Sequence, residues 1–185
     1  MLAELHEKFV NTTARKPAGR IGRRMYSNPL GHRPGFKLIL RHLKLESADS
    51  FAEVGCGGGV LLEMALTKAG RAAAVDHSPD MVALARQRNA EAIAAGRLTV
   101  ELGEGAVLPW ADASFSCAAN ANMFFFVDDP LAFLRENLRI LKPGGRLAMI
   151  TAPRSRLTQF LWGVYGLRLY RDSELSLMLE QAGFE

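Results

Sequence analysis

Cysteine is scarce in this chain: there are two in 185 residues, Cys56 and Cys117, with no Cys-x-x-Cys spacing. That leaves no basis for a disulfide framework or a thiolate zinc site. It fits free thiols in a reducing compartment, the cytoplasm. The four histidines show no ligand spacing, so no metal site is expected. No apolar run is long enough to cross a bilayer. The most apolar late stretch, residues 157–170, is interrupted by Gln159, two glycines and Arg168. The N-terminus places Glu4, His6 and Glu7 ahead of Lys8, which is not the pattern of a secretory signal. Repeats and low-complexity tracts are also lacking. What remains has the length of one domain, with the apolar (49%) and charged (23%) fractions of a soluble globular protein.

The net charge of +4 is modest and its excess is local. Arg15, Lys16, Arg20, Arg23 and Arg24 cluster in an extension, residues 1–31, broken by Pro17, Gly19, Gly22, Pro29 and Gly31. A basic arm can bind nucleic acid or anionic lipid. This one has no interleaved aromatics, so a solvated arm is the preferred reading and a nucleic-acid partner is not expected. The domain proper is placed at residues 32–185.

From Pro34 the pattern alternates between helix and strand. Phe36, Ile39, Leu40 and Leu43 share one helical face, which predicts a helix over 34–44 covering the sheet edge. Strands are predicted at 51–55, 72–76, 98–102, 115–120 and 146–152. Between them helices are expected at 60–69 and 78–95, the second capped by Ser78 with Pro79 at its first position. A further helix starts at Asp129-Pro130, carries Leu131, Leu134, Leu138 and Leu141 along one stripe, and is stopped by Lys142-Pro143-Gly144-Gly145. A last helix spans 175–182. Strands that alternate with helices imply an α/β fold with a parallel sheet covered on both faces. Ligands in such sheets bind at the strands' C-terminal ends.

One run at such an end stands out: Glu53-Val54-Gly55-Cys56-Gly57-Gly58-Gly59-Val60. Glycine allows positive φ and close approach of a ligand to the backbone. The next strand ends in Asp76, placed to accept hydrogen bonds from ribose hydroxyls. Together these describe a pocket for a nucleoside-bearing cofactor. The dinucleotide fingerprint G-x-G-x-x-G fails, because its third glycine would fall on Val60. No Gly-Lys-Ser/Thr phosphate loop exists, and the loop carries no cation for a polyphosphate. A cofactor with a positively charged or zwitterionic tail suits it better.

The pattern Glu-x-Gly-x-Gly-x-Gly resembles motif I of the class I S-adenosylmethionine-dependent methyltransferases. Four further segments resemble the same family in order: 74–86, 102–115, 122–130 and 138–147. They include Leu108-Pro109-Trp110-Ala111-Asp112-Ala113-Ser114-Phe115 and Leu141-Lys142-Pro143-Gly144-Gly145. The nearest subgroup is similar to the small-molecule enzymes of ubiquinone and menaquinone biosynthesis. The resemblance implies a Rossmann-like three-layer sandwich, a mostly parallel sheet of order 3-2-1-4-5, and S-adenosylmethionine as cofactor.

It also implies residue roles. Gly55, Cys56, Gly57 and Gly59 form the loop under the cofactor's methionine and ribose. Glu53 orients that loop, with an ion pair to the basic arm as the alternative. Asp76 binds the ribose, or else caps the helix at Ser78. His77 stacks on adenine or lies on the surface, and Met81 is core or touches the adenine edge. Glu104, Gly105 and Ala106 meet the adenine amino group and ring; Glu for the usual Asp and Gly for the usual Ala are departures. Asn120 and Asn122 lie beside the methyl group.

The acceptor pocket is expected from the arm (Tyr26), the loop 122–130 (Asn122, Phe125) and Phe160, Trp162, Tyr165 and Tyr170. Those aromatics fit an apolar or aromatic small-molecule acceptor. No residue declares itself as a general base, and none is assigned. Family members continue past Gly183-Phe184-Glu185 into two more strands, so the sheet is expected to end at strand five, with a homodimer possible through that edge. Three readings follow: an active small-molecule methyltransferase, a cofactor-binding but inactive fragment or pseudoenzyme, and a nucleic-acid enzyme using the arm. The last has against it the lack of an Asn-Pro-Pro-Tyr-type motif after strand four.

Overall fold

The structure is a computed structural model that describes residue 10, residues 16–162 and residues 166–185; of residues 21, 161 and 162 it describes the backbone only. The elements, in chain order, are α1 (Gly19–Ser27), a 3-10 turn (Leu30–His32), α2 (Arg33–Leu43), β1 (Ser50–Val54), α3 (Val60–Ala65), β2 (Arg71–Asp76), α4 (Pro79–Arg88) and α5 (Ala90–Ala94). Then come β3 (Leu98–Leu102), β4 (Phe115–Ala121), a 3-10 turn (Phe124–Phe126), α6 (Pro130–Ile140), β5 (Leu141–Ile150), α7 (Arg156–Trp162) and α8 (Asp172–Ala182).

The five strands form one parallel sheet of order β3-β2-β1-β4-β5. Period-2 alternation splits their side chains between two cores. Phe51, Ala74, Val100 and Ala119 pack with α2 (Phe36, Ile39, Leu43), α3 (Leu61, Leu62) and α4 (Val82, Ala85). On the other face Ala52, Val54, Val75 and Ala118 pack with α6 (Phe133, Leu134, Ile140) and α8 (Ala182). Central β1 is buried along its whole length, whereas Leu147 to Ile150 of β5 are only half-buried. This is the three-layer arrangement and strand order expected.

Three boundaries depart from the sequence pattern. The helix expected over 78–95 breaks at Asn89, whose side-chain amide donates to the carbonyls of Gly59 (3.1 Å) and Ala85 (2.9 Å). The turn at residues 142–145 bulges within β5 rather than preceding it: Phe115 pairs with Leu141, and Cys117 with Arg146. Within the basic extension, expected as a solvated arm, α1 packs against α4.

Candidate functional site

The chain crosses from β3 back to β4 beside β1, so the sheet's switch point lies between β1 and β4. A cavity of about 570 Å³ opens there, at the strands' C-terminal ends. Another hollow, of about 580 Å³, lies toward the strands' N-terminal ends among Arg71, Arg97, Trp110 and Lys142. It holds none of the expected residues, and open parallel sheets place ligands at the other end.

The cavity floor is the glycine loop. Its turn out of β1 is fixed by the Gly55 and Cys56 N–H groups, which both donate to the Val75 carbonyl (2.9 and 3.1 Å). Gly55, Gly57 and Gly59 take φ of +76°, +51° and +74°, a region L side chains rarely adopt. Space is closed as well: a Cβ on Gly59 would stand 2.9 Å from the Ala85 Cα. Asp76 accepts from the Gly57 N–H (2.8 Å) and the Ser78 N–H (2.9 Å), tying the end of β2 to the loop. Burial holds its carboxyl above the ordinary value, against the pull of those two donors. The helix cap proper is the Ser78 hydroxyl, which accepts from the Met81 N–H.

Glu53 lies beneath the loop and is fully buried. Burial, then the nearby Asp76 charge, pushes its carboxyl well above the ordinary value. Its Oε2 has no hydrogen-bond partner and no ion pair forms with the arm, among the described residues. Cys56 turns its thiol into the same core, and burial raises that thiol too.

Of the expected cofactor residues, Gly55, Gly57, Asp76, His77, Met81, Glu104, Gly105 and Ala106 line the cavity. Met81 is both wall and core, being fully buried. Gly105 has a packing reason, since a Cβ there would stand 2.7 Å from the Phe133 ring. Glu53, Cys56, Gly59 and Asn120 lie behind the wall. Asn120 is 0% exposed and, among the described residues, neither polar atom of its amide has a partner.

Of the residues expected for the acceptor, Tyr26 and Asn122 line the cavity. Phe126 does so where Phe125 was expected; Phe125 lies edge-on to it, at 4.8 Å between ring centres. Phe160 is 84% exposed and stands apart, and Tyr170 packs on Phe124. The Trp162 side chain and Tyr165 lie outside the described residues. Lys16 and Pro17 of the arm, and Met123 and Val127 of the loop 122–130, were expected only as members of those segments and not singled out; Phe133 was missed.

The methyltransferase-domain family matches residues 52–149, more than half of the chain. The chain belongs to that family. Among curated relatives it is 39% identical over 97 residues to the ubiquinone/menaquinone biosynthesis C-methyltransferase of Geobacter sulfurreducens, covering 51% of this chain and 38% of that protein. It is 32% identical over 146 residues to the ubiquinone biosynthesis O-methyltransferase of Xylella fastidiosa, covering 71% of this chain and 58% of that one. The chain thus spans less than two thirds of the length of these relatives. Among solved structures, the fold matches geranyl diphosphate C-methyltransferase from Streptomyces coelicolor, which holds S-adenosyl-L-homocysteine. The TM-score is 0.71 at 19% identity, over 80% of this chain and 56% of that one.

The residues present fit that class of cofactor. A carboxylate stands at the end of β2, a glycine floor leaves no room for side chains, and the buried Glu53 Oε2 lacks a partner beneath it. Among the described residues no helix is long and apolar enough to cross a membrane.

Proposed function

We propose that this chain binds S-adenosylmethionine and directs methyl transfer to a small, apolar or aromatic acceptor. The observation that carries the reading is the Asp76 carboxylate hydrogen-bonded to Gly57 at the rim of a cavity floored by left-handed glycines. When bound, the cofactor supplies a methyl group on an already activated sulfonium.

The protein's work is then alignment and exclusion of water. Asp76 keeps acceptor capacity on both carboxylate oxygens beyond its two backbone bonds, enough to take ribose hydroxyls. His77 and Met81 offer a flat, soft wall for an adenine ring, and Glu104, which lines the same cavity, is available to accept from its amino group. Tyr26, Met123, Phe126 and Val127 add apolar wall, with Asn122 as a polar group among them. That composition favours an acceptor with an apolar body and one polar handle. Asp129 lines the cavity as well, but one of its carboxylate oxygens caps α6 by accepting from the Ala132 N–H.

The test is a turnover screen with S-adenosylmethionine and a panel of quinols, phenols and small amines, read as S-adenosylhomocysteine formed. Turnover on apolar phenols or quinols supports the reading. Turnover only on amines or on nucleic acid contradicts the acceptor class.

A further inference from the structure

The function above uses only Tyr26 of the basic extension, yet more of that segment is built into the cavity. Lys16, Pro17 and Tyr26 line the wall. Tyr26 lies directly on the glycine loop. A Cβ on Gly57 would stand 3.2 Å from its ring, and one on Gly58 would overlap its carbonyl oxygen. Gly58 is not among the residues of positive φ, so its backbone conformation does not call for glycine. The overlying Tyr26 carbonyl, with Leu84 beside it, does.

Three residues of α4 and its cap hold this segment down. The Ser78 hydroxyl donates to the Pro17 carbonyl at 2.6 Å. The Asp80 carboxylate accepts from the Gly19 N–H at the start of α1 and pairs with Arg23 at 2.7 Å. Arg88 donates to the carbonyls of both Ser27 and Gly58, joining the end of α1 to the loop. The Ser78 tie is buried and the Arg88 ties are half-buried. The Asp80 pair is the outermost, with the Arg23 side chain 48% exposed, and is the tie that salt can weaken.

We propose that residues 16–27 are a strap over the cofactor cavity and that Asp80 is a positioning residue, the latch whose release admits and discharges the cofactor. The proposal rests on the cofactor reading above. It predicts an effect on rates more than on affinity, because Asp80 does not line the cavity. An exposed ion pair and one backbone bond limit the effect to about fivefold.

The experiment is stopped-flow displacement with a fluorescent S-adenosylhomocysteine analogue, on the full chain and on Asp80→Asn and Arg23→Gln. Both association and dissociation should speed up several-fold in Asp80→Asn, with the dissociation constant changing less than either rate. Arg23→Gln, which keeps the Gly19 bond, should show a smaller change in the same direction. Raising salt should speed exchange in the unmodified chain and leave Asp80→Asn unmoved. Hydrogen exchange of the 16–27 amides in the free protein should quicken in Asp80→Asn. Normal analogue binding with unchanged rates and unchanged 16–27 exchange in both variants would overturn the strap. Failure of the unmodified chain to bind the analogue would overturn the cofactor reading, and the strap with it.

Discussion

At the scale of single residues, two buried carboxylates do different things under one loop. Asp76 is satisfied: two backbone donors hold it, and its remaining lone pairs face the cavity. Asp76→Ala should weaken S-adenosylhomocysteine binding by roughly 1–3 kcal/mol in a calorimetric titration. Unchanged affinity would show that Asp76 serves only the turn. Glu53 is the less satisfied of the two, and burial pushes its carboxyl well above an ordinary value near 4.5. Between those two values the folded chain keeps a proton that the unfolded chain has released. Stability must therefore fall as pH rises through that window. The melting temperature of the free protein should decline from about pH 5 upward, and Glu53→Gln should shallow the decline; Asp76, shifted the same way, leaves part of it. Parallel pH profiles for the two proteins would contradict this. Both carboxylates were legible in sequence because each sits in a local run with fixed spacing. Phe126 was not. Three consecutive phenylalanines carry no pattern, and the 3-10 turn rotates them apart, so that Phe124 enters the core and Phe126 faces the cavity.

At the scale of elements, hydrophobic periodicity located each strand and helix of the sheet layers to within a few residues, because each buries one stripe or one face. It failed where a tertiary bond decides. The apolar stripe runs on through residues 89–95, but Asn89 turns its amide back to Gly59 and splits α4 from α5. That bond braces the glycine loop from behind. Asn89→Ala should cost about 1–2 kcal/mol in urea unfolding, in spite of alanine's better helix propensity. A loss below about 0.5 kcal/mol would show that the break is set by something else. The ordering of α1 was equally hidden, since its glycines and arginines read as a solvated arm. The partners of residues 17–27, Ser78, Asp80 and Arg88, lie more than fifty residues away in sequence.

At the scale of the whole molecule, the sheet has an asymmetry that the family resemblance led one to expect. Among the described residues β5 pairs with β4 alone, and its Leu147 to Ile150 are half-buried. An edge of that kind is a template for another strand. The 185-residue chain should show concentration-dependent association in sedimentation velocity, with monomer at low and dimer at high concentration. A monomer throughout would mean that residues 153–185 shield the edge, for which the bridge between Pro153 and Tyr170 makes a start. The loops proposed to hold the cofactor follow β1 to β4 and are independent of that edge. The central claim is therefore testable in the chain as it stands, by isothermal titration with S-adenosylhomocysteine and, separately, with NAD. The account predicts saturable one-to-one binding of S-adenosylhomocysteine and none of NAD. Preferential binding of NAD, or binding of neither, would contradict it.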